Sequence, residues 1–171
     1  MGHSLNNIGT VLADKDDYDK ALDYFNRSLT IREELGDMRG IGSSLSNIGI
    51  VHLYKGEYEK AEECLDKSLT IQKEIGIKRM ELETTTYLYL TYKHLGKDYD
   101  IKDIYTLIKD KQNIDFELNY SIYQLLEDTS YLETAYNQIQ EKASAMEDEL
   151  SKKLLSYPIP KAIVEEWEKV K

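Results

Sequence analysis

The chain has 171 residues, of which 41% are hydrophobic and 32% charged, a composition typical of a globular protein that can bury a core. Its net charge of -10 disfavours nucleic acids and anionic membrane surfaces as partners. No apolar run of about 18 residues and no leader peptide are recognisable. Because the one cysteine, Cys64, permits a reducing compartment, we expect a cytoplasmic protein.

An internal repeat with a period of 40 residues organises the first part of the chain. Of the 36 positions from residue 4 to residue 39, 17 carry the same residue 40 positions later. Four glycines keep this period as well, since Gly36 pairs with Gly76 and Gly56 with Gly96. These glycines predict left-handed helix ends and tight turns between helices. A fixed period of this length predicts a stacked helical array.

Two apolar stripes at helical spacing occur within each period. In the first repeat, Leu5 begins one stripe and Phe25 lies in the other. Small residues such as Gly9 and Ala21 allow the two helices to approach closely. Each repeat is therefore predicted to be two antiparallel helices, with the first repeat at residues 3–42 and the second at residues 43–82. A degenerate third repeat (83–116) is indicated by Leu88, Tyr92, Gly96, Ile101, Tyr105 and Ile108. A fourth (117–157) is indicated by Ile122, Leu126, Ala135 and Ile139.

The C-terminal part lacks helix breakers until its two prolines. The apolar pattern after Ala135 predicts one long helix from about residue 130 to 156. The segment Tyr157-Pro158-Ile159-Pro160 predicts extended backbone, followed by a helix within residues 158–171. We expect this capping helix, with an apolar stripe of Ile163, Trp167 and Val170, to pack on the long helix near Leu150 and Leu154 or on a second copy.

The repeat motifs are Leu5-x2-Ile8-Gly9-x2-Leu12 followed by Tyr18-x2-Ala21-x3-Phe25-x2-Ser28, and their counterparts from Leu45 to Ser68. These motifs resemble the tetratricopeptide repeat family, and the period of 40 resembles its kinesin-light-chain-like subtype. The resemblance covers roughly residues 3–150. It implies an all-α, right-handed superhelical solenoid of antiparallel helix pairs. It also implies a non-enzymatic scaffold that binds a protein or peptide in its concave groove.

Asn7 and Asn47 precede the two Ile-Gly pairs and are expected on the concave surface formed by the first helices. An amide both donates and accepts hydrogen bonds, so a row of amides can bind the main chain of an extended peptide. In related repeat proteins an asparagine ladder does this, although the third and fourth positions here are Tyr87 and Ser121. The alternative is that these asparagines bond neighbouring helices.

Further side chains are expected on the same surface, and they include several of the chain's 14 tyrosines. The alternative for each tyrosine is that it replaces a core residue. The predicted partner-binding set is Asn7, Asn47, Thr10, Ile50, Tyr54, Tyr87, Leu90 and His94. Asn6, Asp14 and Ser46 are expected beside them.

No catalytic, metal or cofactor site is predicted. The three histidines lack metal spacing, and His52 is expected to pack between helices. The acidic run of residues 14–19 lacks the glycine and glutamate of a calcium loop and is better explained as a turn with a helix N-cap. Cys64 has acidic neighbours and is expected to be an inert thiol.

A second functional hypothesis is a sensory or dimerisation segment cut from a larger signalling protein. Its first helix carries Leu5, Ile8 and Leu12 with no preceding helix to cover them. A homodimer through the terminal helices is therefore an alternative to peptide binding.

Overall fold

The computed structural model describes residues 1–109 and 113–171, and every regular element within these ranges is an α-helix. The chain divides into two compact units, residues 1–111 and 112–171. The first contains α1 (Gly2–Ala13), α2 (Tyr18–Glu34), α3 (Met38–Tyr54), α4 (Tyr58–Glu74), α5 (Lys78–Leu95) and α6 (Lys102–Lys109). The second contains α7 (Phe116–Leu126), α8 (Thr129–Ser144), α9 (Asp148–Leu155) and α10 (Pro158–Val170). The all-α prediction is confirmed, and the number of repeats beyond the second stays a prediction.

The turns between helices of the first unit use left-handed backbone, as predicted. Gly36, Gly56, Gly76 and Gly96 have φ of 64°, 75°, 70° and 67°, which glycine adopts without a steric cost. Asp16, one period before Gly56, takes the same conformation with φ of 60°. The sequence predicted a turn within residues 14–19 but not its left-handed conformation, because aspartate lacks the glycine signal.

Consecutive helices from α1 to α5 pack on one another, and glycines lie where they cross. A Cβ on Gly9 would stand 2.6 Å from the Phe25 ring, and one on Gly49 would stand 2.6 Å from Leu65 Cγ. In the second repeat Ile48, Ala61, Leu65 and Ser68 are buried as predicted, whereas Leu45 is only half-buried. The close crossings therefore depend on small residues at fixed positions of the repeat.

A line of buried hydrogen bonds, the polar seam, accompanies the apolar contacts. Ser28 Oγ donates to the Gly2 carbonyl at 2.9 Å, and Ser68 Oγ donates to the Gly42 carbonyl at 2.7 Å, one period later. All four residues are buried. The seam joins the second helix of each pair to its first helix.

The seam continues to the first helix of the next pair. Arg32 Nη1 donates to Ser44 Oγ at 3.3 Å, and Gln72 Nε2 donates to Thr84 Oγ1 at 2.9 Å. Arg32 also donates to the Gly40 carbonyl at 2.5 Å. Burial lowers the pKa of Arg32, and the nearby Asp37 carboxylate opposes that shift.

The third helix pair differs from the predicted register. Residues 97–101 separate Gly96 from α6, whereas a single residue separates Gly56 from α4. Ile104 is consequently the buried residue of α6, and Tyr105, predicted on the packing stripe, is 46% exposed. The buried position of α6 therefore lies one residue earlier than the repeat predicts.

The second unit corrects the prediction of one long helix over residues 130–156. α8 ends at Ser144, Glu147 is extended, and α9 begins at Asp148. The break lets the chain turn back, so that Leu155 and Ile159 pack against the buried residues of α8. No glycine or proline marks this turn, and the tertiary packing decides it.

The tail also differs from prediction, because only Tyr157 is extended and α10 begins at Pro158. Proline suits the first helical turn, where its missing N–H is not needed. α10 packs on α8, where Ile163 is fully buried and the rings of Trp167 and Tyr136 stack at 5.5 Å. The expected docking within the chain is confirmed, although Leu150 remains 55% exposed and so is not its main contact.

Candidate functional site: the inner stripe of α1, α3 and α5

The predicted partner-binding residues occupy equivalent positions of three first helices. α1 contacts α3, and α3 contacts α5. On each helix the set lies along one face with spacing of four, three and four residues. We call these positions the inner stripe: His3, Asn7 and Thr10 on α1, with Asp14 at its C-cap; Ser43, Asn47, Ile50 and Tyr54 on α3; Glu83, Tyr87, Leu90 and His94 on α5.

Accessibility falls and then rises along this stripe. All four positions at α1 are exposed. On α3, Ser43, Asn47 and Ile50 are half-buried, whereas Tyr54 is 39% exposed. On α5, His94 is exposed. Tyr87 and Leu90 are only 3% and 6% exposed. These two predicted contact residues therefore offer little surface, which corrects the expectation that they line an open groove and agrees with the core alternative for Tyr87.

The two asparagines are in different environments. Asn47 Nδ2 donates to Asn6 Oδ1 at 3.2 Å, so its amide bonds the neighbouring helix α1. This is the alternative left open for Asn47 by the sequence. Asn7 is exposed. Of the two amides predicted to bind a peptide, that of Asn7 is therefore exposed, whereas that of Asn47 joins α3 to α1.

Ser46 and Asn6 do not lie on the inner stripe, contrary to expectation. Ser46 is buried and its hydroxyl lies 3.1 Å from Thr84 Oγ1 on α5, just as Asn6 reaches Asn47 on α3. Positions 6 and 46 are equivalent in the repeat. Both point toward the next first helix, and polar contacts there join successive repeats.

Two aromatic stacks repeat with the period of 40 beside the inner stripe. The rings of Tyr18 and Tyr54 stack at 6.3 Å, and those of Tyr58 and His94 stack at 4.5 Å and 7°. The Tyr54 ring also meets the edge of Tyr87, with the hydroxyls 3.4 Å apart. Sequence reasoning missed Tyr18 and Tyr58, although their spacing of 36 residues from Tyr54 and His94 was a usable signal.

Burial and a hydrogen bond to Asp16 raise the pKa of Tyr18, which keeps its hydroxyl neutral. The stack on Tyr54 is therefore an uncharged aromatic surface that can contact apolar side chains of a partner. It stands at the C-terminal end of α3, where Tyr54 is the most exposed inner-stripe residue of that helix.

Ion pairs surround the turns at this end of the repeats. Glu57 accepts from Lys60 and from His52 at 2.8 Å each, and these contacts, that of Lys60 foremost, lower its pKa to about 2. His52 is half-buried, with a carboxylate partner that the sequence prediction of packing did not include. Asp17 pairs with Lys20 at 2.6 Å and makes no side-chain N-cap bond, contrary to prediction.

Other chemistry is limited in the part of the chain that the structure describes. There, no group of three or more potential metal-ligating side chains occurs, and no helix is long and apolar enough to cross a membrane. Cys64 is half-buried, and burial raises the pKa of its thiol. A raised pKa disfavours the reactive thiolate at neutral pH.

Comparison with known proteins gives a match to a family model. No curated protein matches the chain. Residues 1–74 match the tetratricopeptide repeat family model, and the match ends with α4, after two helix pairs. This family is a non-enzymatic repeat scaffold whose members generally mediate protein–protein interaction. Residues 1–74 are therefore similar in sequence to tetratricopeptide repeats, and α1 to α4 have the paired helix packing that this similarity predicts.

Proposed function

We propose that this protein is an interaction scaffold that holds a peptide segment along the inner stripe of α1 and α3. The observation that carries the proposal is the almost uncharged character of that stripe, which is exposed along α1 and at Tyr54. Asp14 is its one carboxylate on these two helices, in a chain of net charge -10. A concentration of neutral side chains on an acidic protein favours contact with another molecule over simple solvation.

The stripe divides into a polar and an apolar part. Asn7, Thr10 and Ser43 offer hydroxyl and amide groups suited to a peptide main chain. Ile50 and Tyr54, backed by the Tyr18 ring, offer area for one or two apolar side chains. The best-fitting ligand is an extended peptide with an aliphatic or aromatic residue at the Tyr54 end and few acidic groups.

A peptide selection on the intact chain tests this proposal. Peptides that bind are selected from a random phage-displayed library, and their affinity is measured for wild type and for Tyr54→Ala and Asn7→Ala. We expect Tyr54→Ala to weaken binding by about tenfold or more, because it removes an anchoring ring. Tyr105→Ala, which removes a ring of similar exposure on α6, serves as control.

Two outcomes would contradict the proposal. One is that selected peptides bind Tyr54→Ala and Asn7→Ala as tightly as wild type. The other is that Tyr105→Ala costs as much as Tyr54→Ala. An Asn7, Asn47 double alanine variant should also bind weakly, but only Asn7→Ala leaves the bond between Asn47 and Asn6 intact.

Self-association through both terminal helices is the second hypothesis, and one observation weakens it. α10 buries Ile163 and stacks Trp167 inside its own unit, so its apolar stripe is already covered. The kinesin-light-chain-like subtype stays a prediction that rests on the period of 40.

A further inference from the structure

One end of the first unit carries four aromatic rings, which we call the aromatic row: Tyr18, Tyr54, Tyr58 and His94. Tyr18 and Tyr58 begin α2 and α4, while Tyr54 ends α3 and His94 lies in the last turn of α5. The row consists of two stacked pairs related by the period of 40, Tyr18 with Tyr54 and Tyr58 with His94. Each ring is half-buried or exposed, so the row presents aromatic surface to solvent.

The row is also where side chains of α3 and α5 remain exposed. On α5, Tyr87 and Leu90 are only 3% and 6% exposed, so a ligand that follows this helix meets little side-chain surface. Tyr54 is 39% exposed and His94 is exposed, each at the C-terminal end of its helix. A peptide that contacts Tyr54 therefore reaches α5 along the aromatic row, crossing the helices at their ends.

The spacing of the two stacked pairs favours one peptide conformation. The pairs are displaced by one repeat, and the first helices α3 and α5 of these repeats are in contact. Helices in contact lie roughly 8–10 Å apart. In a polyproline II helix every third side chain returns to the same face after about 9.3 Å, whereas in a β-strand every second one returns after roughly 6.6 Å. Contacts at every third residue of a polyproline II segment match the repeat best.

The polar groups of the surface suit the same conformation. Within residues 1–109 and 113–171 every regular element is a helix, so this part of the chain offers no strand edge with which a β-strand ligand could pair. A polyproline II segment needs no such edge, because its backbone is solvated and has no internal hydrogen bonds. Proline-rich segments of this kind dock on grooves lined by aromatic rings.

Charges beside the aromatic row complement a basic ligand. Residues 14–19 contain four aspartates and one lysine, in a chain of net charge -10. Asp14 is exposed and stands one period before Tyr54 and two periods before His94. A cationic side chain three residues before the one that contacts Tyr54 would therefore face Asp14.

We propose that the peptide is a basic segment in polyproline II conformation that crosses the aromatic row. The inference rests on the proposed function and specifies its ligand. An arginine or lysine faces Asp14, an apolar residue three positions later contacts Tyr54, and another three positions later contacts His94. Residues on the other side of the cationic one continue along the polar part of the inner stripe on α1.

The probe is a fluorescein-labelled peptide of nine residues with arginine at the first position, leucine at the fourth and seventh, and proline elsewhere. It is titrated with the full chain and followed by anisotropy. We expect saturable binding. A peptide of the same composition with leucines at the fourth and sixth positions should bind about tenfold or more weakly, because its leucines face different sides. Glycine in place of the prolines should also weaken binding, because the preformed conformation is lost.

Tyr58→Ala tests the aromatic row separately, because Tyr58 does not belong to the inner stripe. It should weaken the probe by about tenfold or more, and Tyr58→Phe, which keeps the ring, should bind as wild type does. Asp14→Asn should weaken the probe about two- to fivefold, whereas Asp23→Asn, which removes an exposed carboxylate of α2, should not. Circular dichroism checks that each variant is folded.

Four results would overturn the proposal. The first is the absence of saturable binding of the probe, and the second is equal binding of the peptide with the altered leucine spacing. The third is binding that Tyr58→Ala leaves unchanged. The fourth is a gain of helical ellipticity when peptides from the phage selection bind, which would make an amphipathic helix the occupant.

The selected peptides separate this inference from the proposed function. If their binding depends on Tyr54 while any of these four results is found, the interaction scaffold stands and the polyproline II ligand is wrong. If Tyr54→Ala and Asn7→Ala leave their binding unchanged, the proposed function itself is wrong.

Discussion

Two glycines of α3 are expected to respond in opposite directions to the same substitution. Gly42 and Gly49 both lie within the helix, so alanine at either position should stabilise the helix by about 0.5 to 1 kcal/mol through reduced backbone entropy. Their surroundings differ. A Cβ at Gly42 would meet its nearest atom, Ile71 Cγ2, at 3.5 Å, which is an ordinary contact. A Cβ at Gly49 would lie 2.6 Å from Leu65 Cγ and 3.2 Å from the Ala61 carbonyl oxygen.

The difference between the two variants measures the cost of the clash, because the helix contribution is common to both. Leu65 is fully buried and its Cγ is not the flexible end of the side chain, so backbone or rotamer shifts are required. Such overpacking typically costs about 1 to 3 kcal/mol. Gly42→Ala should therefore be more stable than wild type, and Gly49→Ala should be less stable than Gly42→Ala by about that amount.

Urea unfolding followed by ellipticity at the helix band measures both variants under the same conditions. Leu65→Ala in the Gly49→Ala background provides an internal control. If the clash is real, Leu65→Ala costs less there than in wild type, because the cavity accepts the new methyl group. Equal stability of the Gly42→Ala and Gly49→Ala variants would refute the reasoning from the crossing distance.

Two further predictions concern the ion pairs and the tail. The pKa of Glu57 is lowered to about 2 by Lys60 and neighbouring groups, so its contribution to stability is present above its ordinary pKa of 4.5 and is lost as pH falls toward 2. Glu57→Gln should flatten this acid-side loss in urea midpoints measured across that range. Ile163→Ala should cost about 2 to 5 kcal/mol, as followed by Trp167 fluorescence, while Val170→Ala, 42% exposed, should change the midpoint little.

The repeat made much of the first unit predictable. A glycine that recurs every 40 residues signals the left-handed turn, and small residues on an apolar stripe signal a close crossing, as at Gly49. The same period also located the inner stripe, because equivalent residues of stacked helices share a face. The turn at residues 14–19 was predicted, whereas the left-handed conformation of Asp16 was not, because it is unusual for that residue type.

The remaining differences arise where tertiary contacts outweigh local signals. Tyr87 and Leu90 have the right register for the inner stripe, yet their exposure depends on what packs over α5, which periodicity does not encode. The turn between α8 and α9 contains no glycine or proline. What favours it is the packing of Leu155 and Ile159 on the buried core of the second unit. In α6 the buried position shifts from Tyr105, which the repeat predicts, to Ile104. A longer connection precedes this helix, and the spacing of apolar residues does not show where that connection places it.

The polar seam explains how the first repeats keep a single stacking register. Apolar contacts alone tolerate small sliding of one helix along another, whereas a buried hydroxyl or guanidinium is costly unless its partner lies at one position. Ser28 and Ser68 each reach a carbonyl of their own first helix, while Arg32 and Gln72 reach the hydroxyl of the next one.

Two side chains on each second helix, a serine and an arginine or glutamine four residues later, therefore fix the positions of three consecutive helices. The serine sets how the second helix lies on the first helix of its own pair, and the longer side chain sets how it lies on the first helix of the next pair.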